Sequence, residues 1–339
     1  MRRVKLNFAG KEIEFVDRDS ALRRVAEEWA VKGTFPVQVV LGPEGCGKSA
    51  WLRQSVELLR EFGFEVIYVN PINREVLAEF GVASLKDEFL KMVREALAQN
   101  ALGRLAWLAF DLAKELIRVT RGKIAVIVDD AFQVIGVRES ALYVKALLNL
   151  IEYPPEHYEK IVTIAATSEG VSRREIGRHT WANLRVMWNM PRDGFRQLYD
   201  QLPGDKPPFE EVWKLTGGNP RMLERLYNAG WSVKAVIRDM RDEKGLDAFI
   251  DSLTSEEKRW LDEAINDPDT LMSRERIPLM NRLIELNLII EIPQWRDEYL
   301  WIDQPPPEKD PELGGIGRRV AWQSPLHREA VRSALQGLM

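Results

Sequence analysis

Short apolar runs alternate along the chain with long stretches of helical periodicity. Val4, Leu6 and Phe8 alternate with polar residues, as do Ile13 and Phe15, which predicts a hairpin over residues 1–16. Leu22, Val25, Ala26 and Trp29 then recur at helical spacing behind Asp19 and Ser20, either of which suits an N-cap. Residues 35–41, 64–69, 123–128, 161–166 and 184–188 are apolar runs rich in β-branched side chains and read as strands. After the first of them a helix is expected to about Phe62, with Leu52, Val56 and Leu59 on one face. Residues 75–119, dominated by Ala, Leu and Glu, predict helix throughout. Near-continuous apolar strands separated by helices describe an α/β fold, a parallel sheet covered on both faces.

Beyond Pro191 the pattern becomes helical up to about Leu253, interrupted at residues 203–208 and 217–220 where Pro, Gly and Asn gather. Thr254-Ser255-Glu256-Glu257 has the form of a capping box. Two helical segments follow it, then strand-like runs at 288–292 and 299–302, a Pro/Gly-rich loop over 305–317 and a last helix near 326–335. Helices followed by a two-stranded ribbon suggest a winged helix. The expected division is therefore a core over 1–190, a helical lid over 191–252 and a winged-helix-like domain over 253–339.

Composition narrows the function classes. Of 339 residues, 45% are hydrophobic and 29% charged, as in ordinary globular proteins. No stretch approaches about 18 uncharged apolar residues, so no membrane span is expected. A secretory leader is not expected either, and the assigned compartment is the cytoplasm. One cysteine excludes an internal disulfide, and three scattered histidines argue against a histidine metal site. A net charge of −4 disfavours a protein whose main task is gripping phosphate backbones.

The most specific chemistry lies in residues 42–49. Gly42-Pro43-Glu44-Gly45-Cys46-Gly47-Lys48-Ser49 matches the phosphate-loop pattern in full, with a strand before it and a helix after it. Its glycines allow backbone N–H groups to turn around a phosphate, and the helix N-terminus favours negative charge. Lys48 reaches the β- and γ-oxygens in such a loop, and the Ser49 hydroxyl ligates Mg²⁺. Asp129 and Asp130 end the third apolar core strand, at the sheet edge where ligands of open α/β sheets bind. Asp129 is the candidate second metal ligand, and Asp130 the candidate base for an attacking water. Asp is shorter than the Glu often found there, so slow or partner-stimulated hydrolysis is expected. Thr167 and Ser168 end the next strand, where a hydroxyl could sense the γ-phosphate or cap a turn. Arg173, Arg174 and Arg178 compete for the role of arginine finger, with a solvated basic face as the bland alternative. Arg221 stands in the first turn of a helix opened by Gly217-Gly218-Asn219-Pro220, a placement that helix electrostatics disfavours and a bound phosphate would explain. The absence of an Asn-Lys-x-Asp segment points to adenine rather than guanine. Cys46 reads as a small filler within the loop.

These motifs, together with Phe15-Val16-Asp17-Arg18-Asp19, occur in the order seen in archaeal AAA+/STAND-type P-loop ATPases. The chain resembles the "archaeal ATPase" family over roughly residues 10–340 and, more distantly, the Orc1/Cdc6 initiators. The resemblance implies a nucleotide site of Gly42 to Ala50, with Val16, Asp17 and Arg18 beside the adenine and Pro220 packed on the nucleotide. It implies Asp129 as the Walker B magnesium ligand, Asp130 as the water activator, Thr167 or Ser168 as sensor 1 and Arg221 as sensor 2. The implied cofactors are ATP or ADP with Mg²⁺. The Thr-Ser pair departs from the Asn usual at sensor 1.

Residues 252–339 carry eleven Lys and Arg against sixteen Asp and Glu, a net of −5. Backbone binding to DNA needs clustered cations. Arg274, Arg276 and Arg282 are diluted by Glu275 and Glu285, so a protein partner or self-assembly is the favoured role of this unit and DNA the alternative. Trp295, Trp301 and Trp322 read as core or interface anchors.

Overall fold

The computed structural model describes residues 2–168, 170–310, 313 and 315–337. In chain order the strands are β1 (Lys5–Phe8), β2 (Lys11–Glu14), β3 (Val37–Leu41), β4 (Glu65–Asn70), β5 (Glu75–Glu79), β6 (Lys123–Asp129), β7 (Lys160–Thr167), β8 (Ala182–Val186), β9 (Ile289–Glu291) and β10 (Val320–Trp322). The chain divides into two compact units. The first comprises Met1–Val4, Asp19–Leu41 and Lys48–Arg185; the second comprises Lys5–Arg18, Gly42–Gly47 and Val186–Met339.

The first unit is built on a six-stranded sheet of order β5-β4-β6-β7-β3-β8. The β4–β6, β6–β7 and β7–β3 pairs are parallel, while β5 runs antiparallel to β4. β3 is buried along its whole length, as a strand covered on both faces must be. The helices Lys48–Glu61, Ala83–Ala98, Leu102–Thr120 and Val137–Glu152 supply the cover. Val39, Val128, Leu105, Leu112, Val144 and Leu147 belong to one continuous core. Register sets the sheet's carboxyl edge: Asp129 stands opposite Ala166, and Thr167 opposite Leu41, the last residue before the phosphate loop.

The segment expected to be helical from 75 to 119 is different at its start. Glu75–Glu79 pairs with β4 instead, and a break at residues 99–101, with Asn100 at φ 53°, separates two helices. Glu-Val-Leu-Ala-Glu has no strong strand preference of its own. An open edge on β4, one turn away, offers ladder hydrogen bonds that outweigh helical propensity.

In the second unit the β1–β2 hairpin forms as expected, with Leu6 opposite Ile13. Between Arg192 and Asp251 this unit is helical. Thr254 and Glu257 make the reciprocal capping box. The helices Ser255–Asn266 and Ile277–Glu285 precede β9, whose antiparallel partner is β10 rather than the expected run at 299–302. That run makes one isolated bridge, Trp301 to Val186, and packs Trp301 into a small cluster with Ile290, Ile292 and Trp188. Part of the intervening loop, Pro311, Glu312 and Gly314, lies outside the described residues.

Candidate nucleotide site

Within the first unit, the carboxyl ends of β6 and β7 bring the aspartate pair and the candidate sensor together. Asp129 is fully buried. Its Oδ2 accepts hydrogen bonds from the Tyr68 hydroxyl at 3.0 Å and the Asn70 amide at 2.8 Å. Its Oδ1 is buried without a hydrogen-bond partner. Burial and the neighbouring Asp130 raise the Asp129 pKa, while the hydroxyls of Ser49 and Tyr68 and the Asn70 amide pull it back. Ser49, in the first turn of the Lys48–Glu61 helix, is therefore close to Asp129. A buried carboxylate oxygen that lacks a donor, beside a hydroxyl, is a hard-oxygen set that suits Mg²⁺, which takes one or two carboxylates and completes its shell with phosphate and water.

Asp130 leaves the strand in left-handed conformation at φ 47°. Its N–H donates to the Ala166 carbonyl at 2.9 Å, and its Oδ1 accepts from the Ser168 N–H at 3.3 Å. Thr167 is buried at the end of β7. The candidate base and the candidate sensor segment are thus tied directly. Lys48 is 4% exposed, and Ala50 is half-buried in the same helical turn. Arg178 lies on the surface, 2.7 Å from Glu175.

Within the second unit, residues 42–47 are held from several sides. Gly42 leaves no room for a Cβ, which would collide with the Met187 carbonyl oxygen. Gly45 has φ +73°, and a Cβ there would strike Cβ of Arg221, so glycine is required on both counts. The Arg221 N–H donates to the Gly45 carbonyl at 3.2 Å. Its guanidinium reaches Glu224 at 2.7 Å and keeps a side chain that is 58% exposed. Pro220 starts this helix, and a Cβ built at Gly47 would lie 4.0 Å from its ring. Asn219 caps the helix by accepting from Met222 N–H and donates to the carbonyl of Glu44 at 2.9 Å and to Asn189 at 2.8 Å. Glu44 N–H donates to Gln323 at 2.7 Å, and its carboxylate accepts from Asn287 at 3.0 Å. Cys46 is buried with its thiol 3.5 Å from the Met187 carbonyl, and Pro43 is buried as well.

Arg18 is 2% exposed. It donates to the carbonyls of Cys46 at 2.6 Å and Trp188 at 2.9 Å and pairs with Asp303 at 2.9 Å. Its charge thus braces the phosphate loop from behind. Asp17, at φ 63°, packs against Gly194, and Val16 lies on the edge of the unit's main core. Sequence reasoning did not single out Tyr68, Asn70, Asn189, Asn287, Asp303 or Gln323. The available signal was a lone polar residue in an apolar element, most legible in the Tyr-x-Asn end of β4.

Among solved structures, a Walker-type ATPase of Pyrococcus abyssi is similar at 18% identity, with 94% of this chain and 96% of that one covered and a TM-score of 0.47. The ORC2 protein of Aeropyrum pernix is similar at 12% identity, covering 95% of each chain, TM-score 0.44. The ORC1 protein of Aeropyrum pernix, solved with DNA, is similar at 16% identity, covering 95% and 93%, TM-score 0.41. No curated protein matches the sequence. The model of an ATPase domain found predominantly in Archaea matches residues 15–226, a span that takes in the phosphate loop, Asp129-Asp130 and Arg221. By that match the chain belongs to this family of archaeal ATPase domains.

Proposed function

We propose that the chain is an ATP-driven switch: it binds ATP with Mg²⁺ through residues 42–50, hydrolyses it slowly to ADP and phosphate, and signals the outcome through a helical lid over 191–252 to a winged-helix-like domain over 253–339 that contacts a protein partner in the cytoplasm. The observation that carries the reading is the complete phosphate-loop sequence, in which Gly42 and Gly45 leave no room for a Cβ; a buried Asp129 oxygen with no hydrogen bond supports it. Lys48 would neutralise the β- and γ-phosphates, and Ser49 and Asp129 would hold Mg²⁺. Bound Mg²⁺ supplies charge neutralisation on the phosphates. Asp130 would orient the attacking water and take its proton as the bond between the γ-phosphorus and the bridging oxygen breaks. Ser168, bonded to Asp130, would report the loss of the γ-phosphate, and Arg221, whose N–H holds the Gly45 carbonyl, and Pro220 would read the nucleotide.

Two observations favour a protein partner over DNA. Arg276 and Arg282 are ion-paired, with Glu263 at 2.6 Å and Glu257 at 3.5 Å, which removes most of the cationic character expected of a DNA-reading helix. Trp295 and Tyr299 are instead 63% and 65% exposed on one short loop, the kind of aromatic anchors that protein interfaces use. Winged-helix architecture for residues 253–339 is part of this proposal. Phosphate release and nucleotide binding test the reading together. Lys48→Ala is expected to abolish binding, and Asp130→Asn to bind normally with turnover stopped. Normal phosphate release by Asp130→Asn would remove the base assignment. A salt-dependent, ATP-dependent gel shift with duplex DNA would replace the protein partner with DNA.

A further inference from the structure

Asp129 raises a geometrical question that the nucleotide reading leaves open. A carboxylate turns about its Cβ–Cγ bond in a broad, two-fold well, so a strand-end aspartate has no intrinsic reason to keep one oxygen facing a metal. Here one oxygen is heavily engaged and the other is bare. Tyr68 and Asn70 both donate to Oδ2, and Oδ1 is buried with no hydrogen-bond partner. The parallel register of β4 and β6, Tyr68 opposite Ile127 and Val69 opposite Val128, explains why. One step further along, Asn70 faces Asp129, and Tyr68 shares Asn70's face of the sheet because strand side chains alternate with period two. All three side chains are fully buried.

The orientation of both donors is fixed by their own partners. Asn70 Oδ1 accepts from the Asn73 N–H at 2.9 Å, which leaves the amide's NH₂ for Asp129. The Tyr68 hydroxyl has a single proton to give. Arg53 and Glu75, paired with each other, lie beside Tyr68. Both donors to Asp129 are neutral. A lysine or arginine in either place would hold the carboxylate equally well but would oppose an incoming divalent cation; Tyr and Asn fix it and leave its charge intact.

We propose that Tyr68 and Asn70 are positioning residues for the nucleotide-bound divalent cation: by occupying Oδ2 of Asp129 they present Oδ1 to the metal. This rests on the Mg-nucleotide reading above. Outer-shell partners of metal ligands typically change metal affinity by about 10–100-fold when removed. The test uses Mn²⁺ as the probe, with the full chain and ADP, and reads free Mn²⁺ by electron paramagnetic resonance. ADP affinity is measured separately in EDTA, and melting temperature is measured for every variant. Tyr68→Phe removes only a hydroxyl; Asn70→Ser shortens the amide and serves where the first variant folds poorly. Each is expected to raise the Mn²⁺ half-saturation about tenfold, with ADP affinity in EDTA unchanged. A lowered melting temperature with Mn²⁺ half-saturation at the wild-type value would mean that the two residues merely pack, and would overturn the proposal. Wild-type protein that binds neither ADP nor ADP-dependent Mn²⁺ would instead overturn the nucleotide reading on which it stands.

Discussion

Replacing Asp303 by alanine strips the countercharge from a guanidinium that is 2% exposed. The other partners of Arg18 are the carbonyls of Cys46 and Trp188, which satisfy its donors but carry no charge. Breaking a buried pair by removing one member costs roughly 3–5 kcal/mol, because the other ion is left uncompensated in a medium that solvates it poorly. At about 2–4 °C per kcal/mol for a unit of this size, Asp303→Ala is expected to lower the melting temperature by on the order of 10 °C. Arg18→Met combined with Asp303→Leu separates stability from site geometry. Apolar replacement of a buried pair is commonly neutral or stabilising, so this double variant regains most of the lost stability. It does not regain the donor on the Cys46 carbonyl. Loss of a charge-assisted hydrogen bond is worth about 1.5–3 kcal/mol. If half of that reaches the bound state, Mg-ATP affinity falls roughly three- to tenfold. Differential scanning fluorimetry reads the first quantity and calorimetric titration the second. A single variant within about 1 kcal/mol of wild type, or a double variant with wild-type affinity, would refute the bracing role of Arg18.

Gly45→Ala places a methyl group against Cβ of Arg221 at a left-handed backbone position, and is expected to cost about 1–3 kcal/mol of stability and to weaken nucleotide binding, measured by denaturation and titration. His327 is fully buried, its Nδ1 2.8 Å from Ser324 Oγ, and burial, with Lys244 and Arg225 nearby, pushes its pKa down to about 3. The unfolded chain therefore binds a proton that the folded chain refuses: the stability it contributes is present above about pH 6.5 and is lost as pH falls from there toward 3, with a slope of about 1.4 kcal/mol per pH unit. Denaturation midpoints taken between pH 7 and 4.5 should fall more steeply for wild type than for His327→Gln; parallel slopes would contradict it. Trp295→Ala with Tyr299→Ala should leave ATP turnover unchanged while weakening capture of the partner by Asp130→Asn protein loaded with ATP, read by pull-down; undiminished capture would move the docking surface elsewhere.

The phosphate loop was legible because its chemistry is local: eight consecutive residues, a strand before and a helix after. The aspartate pair was legible for the same reason, as was the Thr254 capping box. What escaped was set by partners distant along the chain. Tyr68 meets Asp129 across 61 residues, Arg18 meets Asp303 across 285, and Glu44 meets Gln323 across 279. No periodicity or spacing encodes such pairs, and each looks in sequence like an isolated polar residue. β5 is a strand because of a neighbouring strand edge rather than its own residues, and the 299–302 run stays outside the ribbon because Val320–Trp322 pairs with β9 instead.

The most direct measurement is calorimetric titration of Mg-ATP into the full chain and into Lys48→Ala. Saturable heat at one site per wild-type chain and none for Lys48→Ala is the expected result. A wild-type chain that gives no heat, or a Lys48→Ala chain that binds as well as wild type, would contradict the assignment of residues 42–50 as a triphosphate cradle.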